Sequence, residues 1–146
     1  CGEKVAALFG KRAKRKNMVG DRDPLDICVL TEKTIAHSDI LLTAIPIGGF
    51  SMADGGEADD KIIAVMKDDA AYGDFKDIGD CPISVIDRLQ HYFLTYKMAP
   101  GSVQHKVEIT SVYGREEALK VIHASHADYR KKFPELESLW PKHMSV

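Results

Sequence analysis

The sequence predicts an α+β domain, a small twisted β-sheet or barrel flanked by two main helices. Three observations point there: short apolar runs come first, amphipathic stripes come later, and no βαβ alternation links them. The runs LDICVL (25–30), ILLTAIPI (40–47) and KIIAVM (61–66) are separated by Gly, Asp and Pro and read as strands, as does HKVEITSV (105–112). From Ile83 to Lys97 the apolar residues Val85, Ile86, Leu89, Tyr92, Phe93 and Tyr96 recur every 3.6 residues. Asp80 is the candidate cap and Pro82 precedes the first turn. A second helix is expected after Gly114, with Glu116 and Glu117 in its first turn, Ala118, Val121, Ile122, Ser125 and Tyr129 on one face, and an end near Pro134.

A chain of 146 residues fits one domain, and 45% hydrophobic with 29% charged residues is the balance of a packed core. The net charge of −2 hides an asymmetry, because KRAKRK (11–16) is basic while 54–80 is acidic. Without aromatic neighbours to stack bases, KRAKRK reads as a solvated insertion loop. Cys1, Cys28 and Cys81 are scattered without a CxxC pair, which argues against a disulfide framework or a thiolate zinc site. No run approaches the roughly 20 apolar residues of a membrane helix, so a cytoplasmic protein with no membrane partner is expected.

Chemistry concentrates in two acidic segments. In DRDPLD, Asp21 and Asp23 sit on a bend set by Pro24, and strand alternation places Asp26 on one face with Cys28 and Leu30, opposite Leu25, Ile27 and Val29. In ADGGEADDK, Asp54, Glu57, Asp59 and Asp60 surround a tight Gly55-Gly56 turn, and Lys61 opens the next strand. Either segment alone is ordinary turn chemistry. An EF-hand pattern starting at Asp21 fails, because Leu25 and Asp26 replace a ligand and the required glycine. If the two strands are neighbours, at least five carboxylates converge, and oxygen-only donors select hard Mg²⁺ or Mn²⁺ over zinc. Paired cations of that kind suit phosphoryl hydrolysis. Tyr92, Phe93 and Tyr96 read individually as core, His91 as a packing residue, and His123 and His126 as polar residues without a role.

DRDPLDICV resembles the DxDPxD signature of soluble family I inorganic pyrophosphatases of bacterial type, MADGGEADDKIIAV is similar to that family's second acidic segment, and HYFLTYK to its substrate-reaching helix. The resemblance runs from about Gly20 to Tyr129. It implies an OB-like barrel, a homohexamer, and hydrolysis of pyrophosphate to two phosphates with Mg²⁺, Mn²⁺ substituting. It further implies that Asp21, Asp26, Asp54 and Asp59 hold metal, Asp23 handles the nucleophilic water, and Lys61, Tyr96 and Lys97 bind phosphate. Gly55 departs from the family, in which Glu is frequent at this place. The family's N-terminal region, with a Glu, a Lys, an Arg and two Tyr of the active site, has no counterpart before Cys1. Residues 1–146 are thus expected to form one N-terminally incomplete domain with impaired turnover. The alternative function is a non-catalytic OB-like module that binds nucleic acid or another acidic partner through its basic arm.

Overall fold

The computed structural model describes residues 24–98 and 107–134. Within them run β1 (Asp26–Leu30), β2 (Ala44–Asp54), β3 (Glu57–Ala58), β4 (Lys61–Met66), a 3₁₀ turn (Ile78–Asp80), α1 (Ile83–Thr95), β5 (Val107–Gly114) and α2 (Arg115–Lys132). The strands form one mixed sheet in the order β1-β4-β2-β3, with β5 also paired to β2. β1 and β4 run parallel; every other pairing is antiparallel. The long β2 is shared between β4 along its first half and β5 along its second. Register shifts at Pro46/Gly48 and Ser51/Met52 bend it, and the sheet curls into a half-barrel of OB-like type.

The α+β expectation and both helices hold, and β4 matches residue for residue. The alternation expected of β1 also holds: Cys28 and Leu30 pack on one core cluster, and Leu25 and Ile27 on another. Residues 61–65 of β4 are all buried because the strand has a core on each face. Ile63 and Val65 join Ile47, Phe50, Met52, Ile86 and Phe93 under α1, while Ile62 joins Ala118 and Val121 of α2.

Two local expectations are corrected. The second strand begins at Ala44, not Ile40, and continues to Asp54; Leu41 stands 91% exposed outside it. It passes through Gly48 and Gly49, which a sequence reader takes for a break. A Cβ on Gly48 would meet the Tyr113 carbonyl oxygen at 2.5 Å and Ile78 Cβ at 2.7 Å, so the missing side chains let the 3₁₀ turn and β5 close on the strand. Gly48→Ala should therefore destabilise by about 1–3 kcal/mol through forced backbone displacement. Urea unfolding of the variant checks this, and an unchanged midpoint would show that the strand can yield.

Asp80 does not cap α1 either. Pro82 is the N-cap residue and makes no side-chain cap bond, whereas the Asp80 carboxylate accepts the Lys76 and Asp77 amides at 2.8 and 3.0 Å. Asp77, unnoticed in the sequence, accepts the Gly79 amide at 3.1 Å and the Arg115 amide at 2.8 Å, tying the 3₁₀ turn to the start of α2.

Asp69 fastens the loop after β1 to the turn after β4. It accepts the Glu32 amide at 2.9 Å and, at 3.0 Å each, the Tyr72 amide, the Thr31 hydroxyl and the Ala71 amide. These bonds, the Glu32 amide foremost, hold its carboxyl below the ordinary aspartate range. A depressed folded pKa contributes stability above the unfolded value of about 3.9, and that contribution is lost as pH falls through the folded value. Hydrogen exchange at the Glu32 and Tyr72 amides should accordingly accelerate below about pH 4. In Asp69→Asn this acid-dependent step should be absent; an identical pH profile in the variant would assign the step elsewhere.

Candidate active site

Three chain segments meet at one end of the half-barrel. Parallel pairing of β1 with β4 sets Asp26 in register with Lys61, so two strand entrances lie side by side. The β2–β3 hairpin turns through Gly55 and Gly56 at φ +58° and +90°, the left-handed pair that a two-residue hairpin requires. The Asp59 amide then donates to the Met52 carbonyl at 2.9 Å, which turns the chain back toward β4. The third segment is the C-terminal end of α1, where Tyr96 is the last capping residue and Lys97 follows.

Their side chains form one continuous ion-pair network. The Lys61 ammonium donates to Asp26 Oδ2 and, at 2.7 Å, to Asp59 Oδ1. Lys97 Nζ donates to Asp54 Oδ2 at 2.5 Å across 43 residues of sequence, and lies 3.9 Å from Asp59 Oδ2. Asp59 is the hub. The side chains of Asp59 and Lys61 are only 4% and 3% exposed, whereas Asp26 is 59% exposed. The Asp54 carboxylate that takes its hydrogen bond raises the Lys97 pKa well above the ordinary lysine range. Its ion pair is thus fully present through neutral pH and lost only as pH rises through that elevated value.

Of the sequence-selected residues, Asp26, Asp54, Asp59, Lys61 and Lys97 are brought together. Tyr96 borders them, its ring 5.6 Å beneath Lys97 Nζ. Asp21 and Asp23 lie outside the described residues, as does KRAKRK. Among the described residues no group of three or more His, Cys, Asp or Glu has metal-holding geometry; each lysine ammonium of the network is paired with carboxylates.

The reading of the aromatic stripe as core holds for Phe93 alone. Tyr92 is 55% exposed and stacks on the exposed Tyr96 with centroids 5.2 Å apart and planes at 18°. Its place at i−4 from Tyr96 puts the two rings on one helix face. Asp60, grouped with the acidic segment, is buried and has the Tyr113 hydroxyl at 3.4 Å. Burial raises the thiol pKa of both Cys28 and Cys81, so neither presents a ready thiolate.

A curled OB-like half-barrel whose one end joins three carboxylates and two ammonium groups defines the class as a small OB-like domain with a charged site. The sequence profile of inorganic pyrophosphatases matches residues 9–130, and the chain belongs to that family. It is 53% identical over 137 residues to an inorganic pyrophosphatase of Chlamydia caviae, covering 91% of this chain and 63% of that relative. A Chlamydia muridarum inorganic pyrophosphatase is 54% identical, with 91% and 66% covered. The chain therefore spans less than two thirds of the length of these curated relatives. Its fold superposes on the crystal structure of inorganic pyrophosphatase from Thermus thermophilus with a TM-score of 0.71 at 28% identity, covering 87% of this chain and 67% of that one. Among the described residues no helix is long and apolar enough to cross a membrane.

Proposed function

We propose that the chain carries the hydrolytic site for inorganic pyrophosphate, converting it with water to two phosphates with the help of carboxylate-bound divalent cations, Mg²⁺ foremost and Mn²⁺ as a substitute. The observation that carries this reading is the single network joining Asp26, Lys61, Asp59, Lys97 and Asp54, residues drawn from three separate segments. The donor set fits hard cations: three carboxylates and no exposed thiol among its members. Asp26, Asp54 and Asp59, joined by Asp21, would hold them. When bound, such cations neutralise the substrate's charge and acidify a coordinated water.

The chain's own residues do the rest. Lys61 and Lys97 present ammonium groups to phosphate oxygens and stabilise charge as it moves to the leaving phosphate. The Tyr96 hydroxyl donates to the same oxygens from the end of α1. Asp23 accepts the proton of the attacking water. The family match leaves the alternative, a nucleic-acid module, without comparable support. A cytoplasmic homo-oligomer, a hexamer by resemblance, belongs to the same proposal; exposed Leu41, Ile83 and Met98 suit subunit contacts.

The decisive measurement is phosphate release from pyrophosphate with Mg²⁺, with Mn²⁺ and with a chelator. Release that needs either cation and stops with chelator is expected. Release indifferent to chelator, or no divalent-cation binding by calorimetry, would refute the proposal. Sedimentation of the same preparation reads the assembly, and a monomer at all concentrations would remove the oligomer from it.

A further inference from the structure

We infer that Tyr92, which takes no part in the proposed reaction, is a positioning residue: its ring holds the Tyr96 ring, and so the hydroxyl that donates to phosphate, in place before substrate arrives. This rests on the reading above that Tyr96 and Lys97 bind phosphate.

Tyr96 stands where a helix is least able to fix a side chain. It is the C-cap residue of α1, and its amide donates to the Tyr92 carbonyl at 2.9 Å in the bond that closes the helix. Helix ends fray, and the residue is 43% exposed, so burial does not hold its ring. A donor out of place by about 1 Å forfeits much of its effect on a bound or reacting group. The ring therefore needs a brace.

Two neighbouring rings supply it. Tyr92, one turn earlier on the same face, lies against Tyr96 with centroids 5.2 Å apart and planes at 18°. Phe93 meets Tyr96 edge-on at 6.3 Å and 88°, and meets Tyr92 at 5.3 Å and 72°. A parallel neighbour and a perpendicular one restrict a ring about different axes. Phe93 is buried and touches Phe50, so the brace is anchored in the core. Lys97 Nζ lies 5.6 Å from the Tyr96 centroid, and a ring held still favours one place for that cation too.

Burial does not account for Tyr92 itself. It is 55% exposed, and its parallel stack differs from the other ring pairs among the described residues, which cross at 47° or more. The contact uses the face of the ring and not its hydroxyl, so Phe should serve in place of Tyr92.

The test uses the full chain and readouts other than turnover. Calorimetry in Mg²⁺ measures binding of imidodiphosphate, a pyrophosphate analogue with nitrogen in the bridge, and fluorine magnetic resonance follows a 3-fluoro label on Tyr96. We expect Tyr92→Leu to weaken binding about three- to tenfold and to move the fluorine resonance toward that of free fluorotyrosine. Tyr92→Phe should stay near wild type in both. In Tyr96→Leu, where no ring remains to be held, adding Tyr92→Leu should change affinity less than about twofold. A further loss as large as in the wild-type background would show that Tyr92 acts elsewhere, and would overturn the inference while the phosphate site stands. A fluorine resonance unmoved by Tyr92→Leu would overturn it too, as would a Tyr92→Leu chain that does not fold. A wild-type chain that binds no imidodiphosphate would remove the phosphate reading, and the role of Tyr92 with it.

Discussion

On the proposed function, replacing Asp59 by Asn should reduce cation-dependent pyrophosphate hydrolysis at least about 100-fold, and in chelator it should destabilise the fold by about 3 kcal/mol. The two losses have one origin. Asn keeps the shape of Asp but offers Lys61 one amide oxygen and one amide N–H, and the N–H opposes an ammonium donor. Lys61 is 3% exposed and cannot recover its hydration where it stands. Removing one partner of a buried ion pair typically costs about 3–5 kcal/mol; Asp26 still engages the ammonium here, which places the loss at the lower end. Asp26→Asn supplies the contrast. Its side chain is 59% exposed, so its contribution to stability should stay within about 1 kcal/mol while cation binding weakens. Asp60 is unsuited as a control because it is buried beside Tyr113; exposed Glu57 on the same hairpin is the better one. Urea unfolding in chelator and phosphate-release assays measure both effects. Equal stability losses for Asp59→Asn and Asp26→Asn would show that burial does not set the energy of this network.

How far the sequence could be read follows from which forces are local. Strand β4 announces itself as KIIAVM because a strand with a core on each face needs apolar residues at successive positions, and that demand is written in the chain. The end of β2 is not written there. Gly48 and Gly49 look like a break, and only the approach of Tyr113 and Ile78 from distant parts of the sequence makes them strand residues. The site divides in the same way. Asp26 and Lys61 could each be marked from their acidic segments, but their contact depends on the parallel register of β1 and β4, a long-range choice that no local pattern encodes. The Lys97–Asp54 bond joins a helix end to a hairpin, so periodicity could at most locate its two ends. Tyr92 is exposed against expectation because a helical stripe shows which residues share a face without showing how far the covering sheet extends.

Phe50→Ala should cost about 3–5 kcal/mol, the range for truncating a fully buried aromatic side chain that leaves a cavity. Phe50 is completely buried in the cluster under α1, and its ring meets Phe93 edge to face with centroids 6.0 Å apart. Such pairs add about 0.5–1.5 kcal/mol beyond buried area. In register it lies between Lys61 of β4 and Val112 of β5, so the cavity would open beside the strand residue that binds the hub Asp59. Phe93 belongs to α1, whose far end delivers Tyr96 and Lys97. Loss of the ring should therefore loosen the Lys97–Asp54 contact as well as the core. Phe50→Leu, which keeps most of the volume, should cost less, about 1–2 kcal/mol, and leave cation affinity near wild type. Urea unfolding with Mg²⁺ calorimetry separates the two variants. If Ala and Leu destabilise equally, the energy at this position comes from the aromatic edge contact with Phe93 and not from the filled volume, and Phe93→Leu should then reproduce the full loss.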